Sequence, residues 1–208
     1  GVALRDMTRT RLYDTLATAV DSYAIGDMVS VREQGAVPMR NVGDAAAVPG
    51  GPVYCVVSTT GGDALGEARS DRDGTADVWT LTPTVANSTI YAIQIVLPEW
   101  DGLPAVVRTY EYTSDGSAAD TEIVADFVSQ INGDSVISGR VTASGTTTLI
   151  ITGDVLGMPI LVQDAASAGD WTSITHTTTA AAYTVLVPRA RWDEPCAPEA
   201  VAPIFLNT

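Results

Sequence analysis

The one histidine, His176, stands among hydroxyls, with Ser173 before it and threonines on both sides from Thr175 to Thr179. A Ser or Thr nucleophile needs an imidazole base within hydrogen-bond reach and a third group to orient that base. Adjacency along a Thr-rich run supplies neither, so no catalytic role is expected for His176. Asp71-Arg72-Asp73-Gly74, with Asp77 beyond, is similar to a calcium loop in placing oxygen ligands near a glycine turn. It lacks the third early ligand and the closing Glu that such a loop needs, which makes an acidic surface loop the expectation. Gly61-Gly62-Asp63 is followed by no phosphate-binding Lys, and the chain contains no Lys at all, so this stretch reads as a turn. Trp79, Trp100, Trp171 and Trp192 could stack on a sugar, but they fall in different segments and packing is the expected use. Cys55 alternates with Val53 and Val57 as a buried free thiol would, although a single bridge to Cys196 stays open. No catalytic, metal or cofactor-binding residue is expected, and an enzyme is the least supported class. What remains is Arg5, Arg9 and Arg11, a basic cluster near the start of an acidic chain and a candidate contact for an acidic neighbour.

The balance of charge narrows the partners. Eleven Arg are scattered among twenty-five acidic residues over 208 positions, a formal net charge of −14. Neutralising phosphates takes clustered cations, so a nucleic-acid partner is not expected. The best apolar run, Ile90 to Leu97, is far short of the roughly 20 residues that cross a bilayer as a helix, and no membrane partner is expected. The chain opens on Gly1 rather than Met and shows no signal-peptide pattern, which leaves processing or an upstream segment open.

The elements that would position these residues are mostly strands. Thr, Val, Ala and Gly abound, and turn signals recur at short intervals: Tyr23 to Asp27, Gln34-Gly35, Gly43-Asp44 and Pro49 to Pro52. Between them Met28 to Val31, Ala36 to Arg40, Val53 to Val57 and Val78 to Leu81 read as short strands, the pattern of a β barrel or sandwich. Tyr91, Ile93, Ile95 and Leu97 alternate in the clearest strand of the chain, and Val106 to Tyr112 follows as its neighbour. One helix is expected. Ile123, Val124, Phe127, Val128 and Ile131 form a stripe at helical period, Asp120 or Thr121 can cap it, and Asn132-Gly133 offers a left-handed stop. After it, Val136 to Ala143 and Thr147 to Thr152 read as strands around the turn Ser144-Gly145, and Met158 to Gln163 as an edge or entry strand marked by Pro159. Ala182 to Val187 resumes a strand, Pro188 to Trp192 turns, and Val201 to Asn207 is the last strand. Pro83 to Ser88 is the first plausible boundary.

Two parts of the chain resemble tailed-bacteriophage virion proteins. Gly1 to Leu4, Tyr23 to Val31, Gly51 to Tyr54 running through Gly66-Glu67-Ala68-Arg69, Pro188 to Trp192 and Ala202 to Asn207 follow one another as in the capsid decoration, or structural cement, family. That family passes almost directly from the segment like Gly74 to Leu81 into the one like Val185 to Trp192. Here about ninety residues intervene. They resemble a second phage structural module, with an aromatic strand like Tyr110-Glu111-Tyr112-Thr113, then Asp115-Gly116, a helix ending near Ile131-Asn132, and strands like Val141 to Ala143 and Leu149 to Thr152. Gly157-Met158-Pro159-Ile160 completes it. The resemblance implies a mainly β fold: a small β-barrel or sandwich frame of residues 1–85 and 180–208 that docks on the capsid. An inserted α+β module of residues 86–179 would project outward. It implies a head decoration or cement protein on the outer surface of the virion, bound to the major capsid protein and to itself as a homotrimer, with Arg5, Arg9 and Arg11 as capsid-contact candidates. The alternatives are a phage tail or baseplate component and a carbohydrate-binding module.

Overall fold

A computed structural model describes residues 2–4, 30–32, 35–166 and 170–206. The chain is mainly β, in several antiparallel sheets, with one α-helix among those residues. In chain order the strands are β1 (Val2–Leu4), β2 (Ser30–Arg32), β3 (Gly35–Arg40), β4 (Pro52–Val56), β5 (Ala68–Arg69), β6 (Gly74–Thr75), β7 (Val78–Pro83), β8 (Ile90–Leu97) and β9 (Val106–Thr113). Helix α1 (Asp120–Gly133) comes next. After it run β10 (Val141–Ser144), β11 (Leu149–Gly153), β12 (Leu161–Asp164), β13 (Trp171–Thr178), β14 (Ala181–Ala182), β15 (Thr184–Trp192) and β16 (Val201–Leu206). The chain divides into two compact units, one of Gly1–Tyr54, Glu67–Asp71 and Val187–Thr208, the other of Cys55–Gly66 and Arg72–Leu186.

The first unit is built on a five-stranded sheet in the order β3-β16-β15-β4-β5. Alternation decides which side is buried: Val37, Ala190, Trp192, Ala202, Ile204 and Leu206 turn inward with Val53, Ala68, Ala47 and Cys196 into one apolar cluster. Pro38 and Pro203 face each other in the β3–β16 ladder. The Asn41 N–H donates to Ala200 O at 2.8 Å one residue beyond that ladder, so the pairing alternation leaves the two prolines at a position where neither strand needs an N–H from the other. The expected barrel does not form, since no sheet among the described residues is closed. The edge strands β3 and β5 are joined by a single parallel bridge, Asn41 to Ala68, with Val42 N–H donating to Ala68 O at 2.9 Å. A two-residue β5 is too short to extend that bridge into a ladder.

In the second unit β10-β11-β7-β13 form one sheet and β12-β8-β9 another. Val78–Pro83, read in the sequence as part of the frame, lies here because β7 pairs on both sides with strands from beyond residue 148. Tyr91, Ile93, Ile95 and Leu97 are fully buried, as their alternation requires, and pack with Leu81, Leu149 and Ile151 against the helix stripe Ile123, Val124, Phe127 and Ile131. Burying a side chain such as Phe127 completely is worth about 3 kcal/mol, and α1, too short to persist in isolation, is held by this stripe. Its ends differ from expectation. Ala119 occupies the N-cap with no side-chain hydrogen bond, and Asp134 the C-cap at φ −79°, so Gly133 is the last helical residue rather than a left-handed stop. Residues 135–140 continue as turns instead of a strand, with Ser138 N–H bonded to Asp134 O at 3.1 Å and Val141 N–H to Ile137 O at 3.2 Å. Ile137 is thereby buried completely while Val136 stays exposed.

Candidate functional site

Arg5, Arg9 and Arg11, the contact candidates of the sequence, lie outside the described residues. Of the residues with reactive side chains, the structure brings together two that are 99 positions apart. Asp77, fully buried immediately before β7, accepts from His176 Nε2 at 2.7 Å and from Ala180 N–H at 2.6 Å through Oδ1. Its Oδ2 accepts from Ile160 N–H at 2.8 Å and from Trp79 Nε1 at 3.3 Å. The His176 ring lies flat on Trp79, with centroids 4.4 Å apart and planes 9° from parallel. A carboxylate only accepts, so Nε2 carries the proton. Four donors fill the carboxylate and tie β7 and β13 to the segments around Ile160 and Ala180. Among the described residues no hydroxyl or thiol is hydrogen-bonded to the imidazole. Thr177 Oγ1 instead meets Thr80 Oγ1 at 2.7 Å. The pair has the form of an oriented base, but its geometry is that of a structural tie.

The calcium-like loop is consumed by neighbours within each unit. In the first, Asp71 accepts from Arg69 Nε at 3.1 Å, and Arg69, only 4% exposed at its side chain, also reaches Asp44 at 2.9 Å. Asn41, fully buried beside them, accepts from Gly43 and Ser70 N–H and donates to Ala45 O and Cys196 O. In the second, Arg72 pairs with Asp101 at 3.3 Å, and Asp73 accepts from Gly74 N–H at 2.8 Å. No group of three or more His, Cys, Asp or Glu side chains suited to a metal ion occurs among the described residues. The tryptophans are divided as well. Trp192 and Trp171 are buried in separate clusters, Trp171 edge-on to Tyr91 at 6.0 Å, and Trp79 is stacked on His176. Cys55 and Cys196 are both free, and burial pushes the Cys55 thiol up.

Three further charged groups were invisible in the sequence. Arg140 is buried and donates to Pro104 O at 2.7 Å and Pro98 O at 3.0 Å, pinning the loop after β8, and burial lowers its pKa. Asp134 accepts from Val136 N–H at 2.8 Å and Tyr110 Oη at 2.9 Å, and forms an ion pair with Arg108, whose Nε lies 3.0 Å away and whose Nη2 donates at 3.5 Å. The Val136 N–H foremost, then Tyr110 and Arg108, hold its carboxyl low, whereas burial and then Asp134 drive the Tyr110 hydroxyl up. Asp170 is buried, and among the described residues no donor makes a well-formed hydrogen bond to its carboxylate. Burial pushes its carboxyl up and Asp164 beside it adds to the rise, against a smaller opposing pull from the nearby backbone N–H groups of Asp170 and Ala92.

Charge is divided unequally between the units. The first holds eight of the eleven Arg and eleven of the twenty-five acidic residues, a net of −3; the second holds three Arg and fourteen acidic residues, a net of −11. All three Arg of the second unit are engaged, two with carboxylates and one with carbonyls. No helix among the described residues is long and apolar enough to cross a membrane. No family model, curated protein or solved structure matches the chain.

Proposed function

We propose that the chain is a non-enzymatic bacteriophage virion protein that decorates the outer surface of the head and cements the lattice of the major capsid protein. The observation that carries this reading is the assembly of one sheet from both ends of the sequence. The last strand, β16, lies between β3 and β15, and residues 72–186 are inserted between the parts of that unit. A decoration-type frame carrying an inserted module would have this layout; of the resembling segments, Gly51 to Tyr54, Glu67 to Arg69, Pro188 to Trp192 and Ala202 to Leu206 belong to this unit, while residues 55–66 belong to the other. The charge division fits the same assignment. The unit of net −3 is the one suited to meet another protein, while the unit of net −11 faces solvent and discourages unwanted association. A decoration protein is present in many copies, and trimeric display multiplies modest contacts into tight binding, so each interface can be small. Heads stripped of this protein should lose integrity on heating or in low salt and regain it when the purified protein is added back. Unchanged integrity would remove the cement role.

A further inference from the structure

The solvent side of the first unit's sheet is not uniformly polar. Opposite the buried Val37, Ala202, Ile204, Ala190 and Trp192, the strands present Pro38 on β3, Val201, Pro203 and Phe205 on β16, and Arg191 on β15. Phe205 is 46% exposed and Val201 65%. Register makes these residues contiguous, because Pro203 faces Pro38 and Phe205 faces Arg191. Just before Arg191 the strand breaks phase. Val187 and Ala190 both pack on the core, three positions apart where alternation would give two, so Pro188 and Arg189 are both exposed. Arg189 sits at φ 61°, a left-handed conformation that a side chain adopts only at a cost. Neither Arg189 nor Arg191 has a carboxylate partner among the described residues, although the chain has more than two acidic residues for every Arg.

We infer that this face, an aromatic and aliphatic centre edged by Arg189 and Arg191, is the surface that docks on an acidic patch of another protein. Under the function proposed above, on which the inference rests, that protein is a shell subunit. An exposed Phe beside guanidinium groups that lack carboxylate partners, Arg191 donating to Ala190 O at 2.7 Å, is the composition of an interface centre, and Arg189 is held exposed there at a backbone cost. A second copy meeting the same face would set cations against cations. A nucleic acid would meet two Arg on a chain of net −14, too few for phosphate binding.

The test is co-sedimentation of the purified protein with heads that lack it, at low and at raised NaCl. Wild type should bind, and Phe205→Ser and Arg191→Ser should each lower affinity at least tenfold. Arg189→Gly should weaken binding similarly while melting no lower than wild type, because glycine accepts φ 61° freely. Leu161→Ser on the second unit should bind as wild type, and raised salt should narrow the gap between wild type and the two Arg variants. If wild type binds and the folded variants bind equally well, this face is not the docking surface, although the head assignment stands. If wild type does not bind heads at all, the functional reading itself fails. Sedimentation velocity supplies the remaining outcome: self-association abolished by Phe205→Ser with head binding unaffected would assign the face to a second copy and overturn the inference.

Discussion

At the scale of single residues, the polar groups buried in the second unit carry much of its specificity. Asp77 accepts four hydrogen bonds, from Trp79, Ile160, His176 and Ala180, so Asp77→Ala leaves the buried Ile160 N–H and the partly buried His176 and Ala180 donors without their acceptor and should cost about 3 kcal/mol, read as a lower urea midpoint. Asp170 is the opposite case. Its folded pKa is raised, chiefly by burial, so the neutral acid is the form the fold prefers. The stability it allows is present below the unfolded carboxyl pKa and is lost as pH rises through the folded value. At neutral pH Asp170→Asn should therefore raise Tm, by roughly 2–4 °C for each kcal/mol recovered. That gain should shrink as the buffer approaches about pH 4; a gain independent of pH would contradict the assignment. Neither group could be picked out from the sequence. Asp77 looked like the tail of an acidic loop and His176 like a member of a Thr run, and nothing local marks two residues 99 positions apart as partners.

At the scale of elements, periodicity carried the information wherever burial was one-sided. The alternation of Tyr91 to Leu97 and the helical stripe Ile123, Val124, Phe127 and Ile131 locate core residues that are 0–1% exposed, while Val128, expected in the same stripe, is only partly buried against that core. Phe127 sits at the centre of that stripe, against Trp171 at 5.4 Å, and Phe127→Ala should cost about 3–5 kcal/mol in thermal or urea unfolding. Legibility failed where a segment answers to distant partners rather than to its own pattern. Val136 to Ala143 contains enough β-branched residues to read as a strand, yet burying Ile137 draws residues 135–140 into turns. Pro188 to Trp192 reads as a turn from its proline, but β15 runs through it, with Pro188 and Arg189 both exposed between Val187 and Ala190, which pack on the core. The two-residue strands β5, β6 and β14 are too short for any period to show, and β6 and β14 exist only because Gly74–Thr75 and Ala181–Ala182 meet across more than one hundred positions.

At the scale of the whole molecule, the mainly β class followed from composition and turn spacing, while the barrel did not, because closure depends on one edge pairing with the other and here that is a single bridge. The unequal division of charge, −3 against −11, becomes visible only once the boundaries of the two units are known, since the segments that make up the first are scattered along the chain. Under the proposed function, the less acidic unit is the one assigned to contact and the more acidic one to exposure. The central claim is that this chain coats the head of a phage particle. Electron microscopy of virions carrying a tagged copy, labelled with gold against the tag, measures this most directly. We expect label distributed over the outer surface of the head at many positions per particle. Label confined to the tail or baseplate, or particles bearing none, would contradict the account.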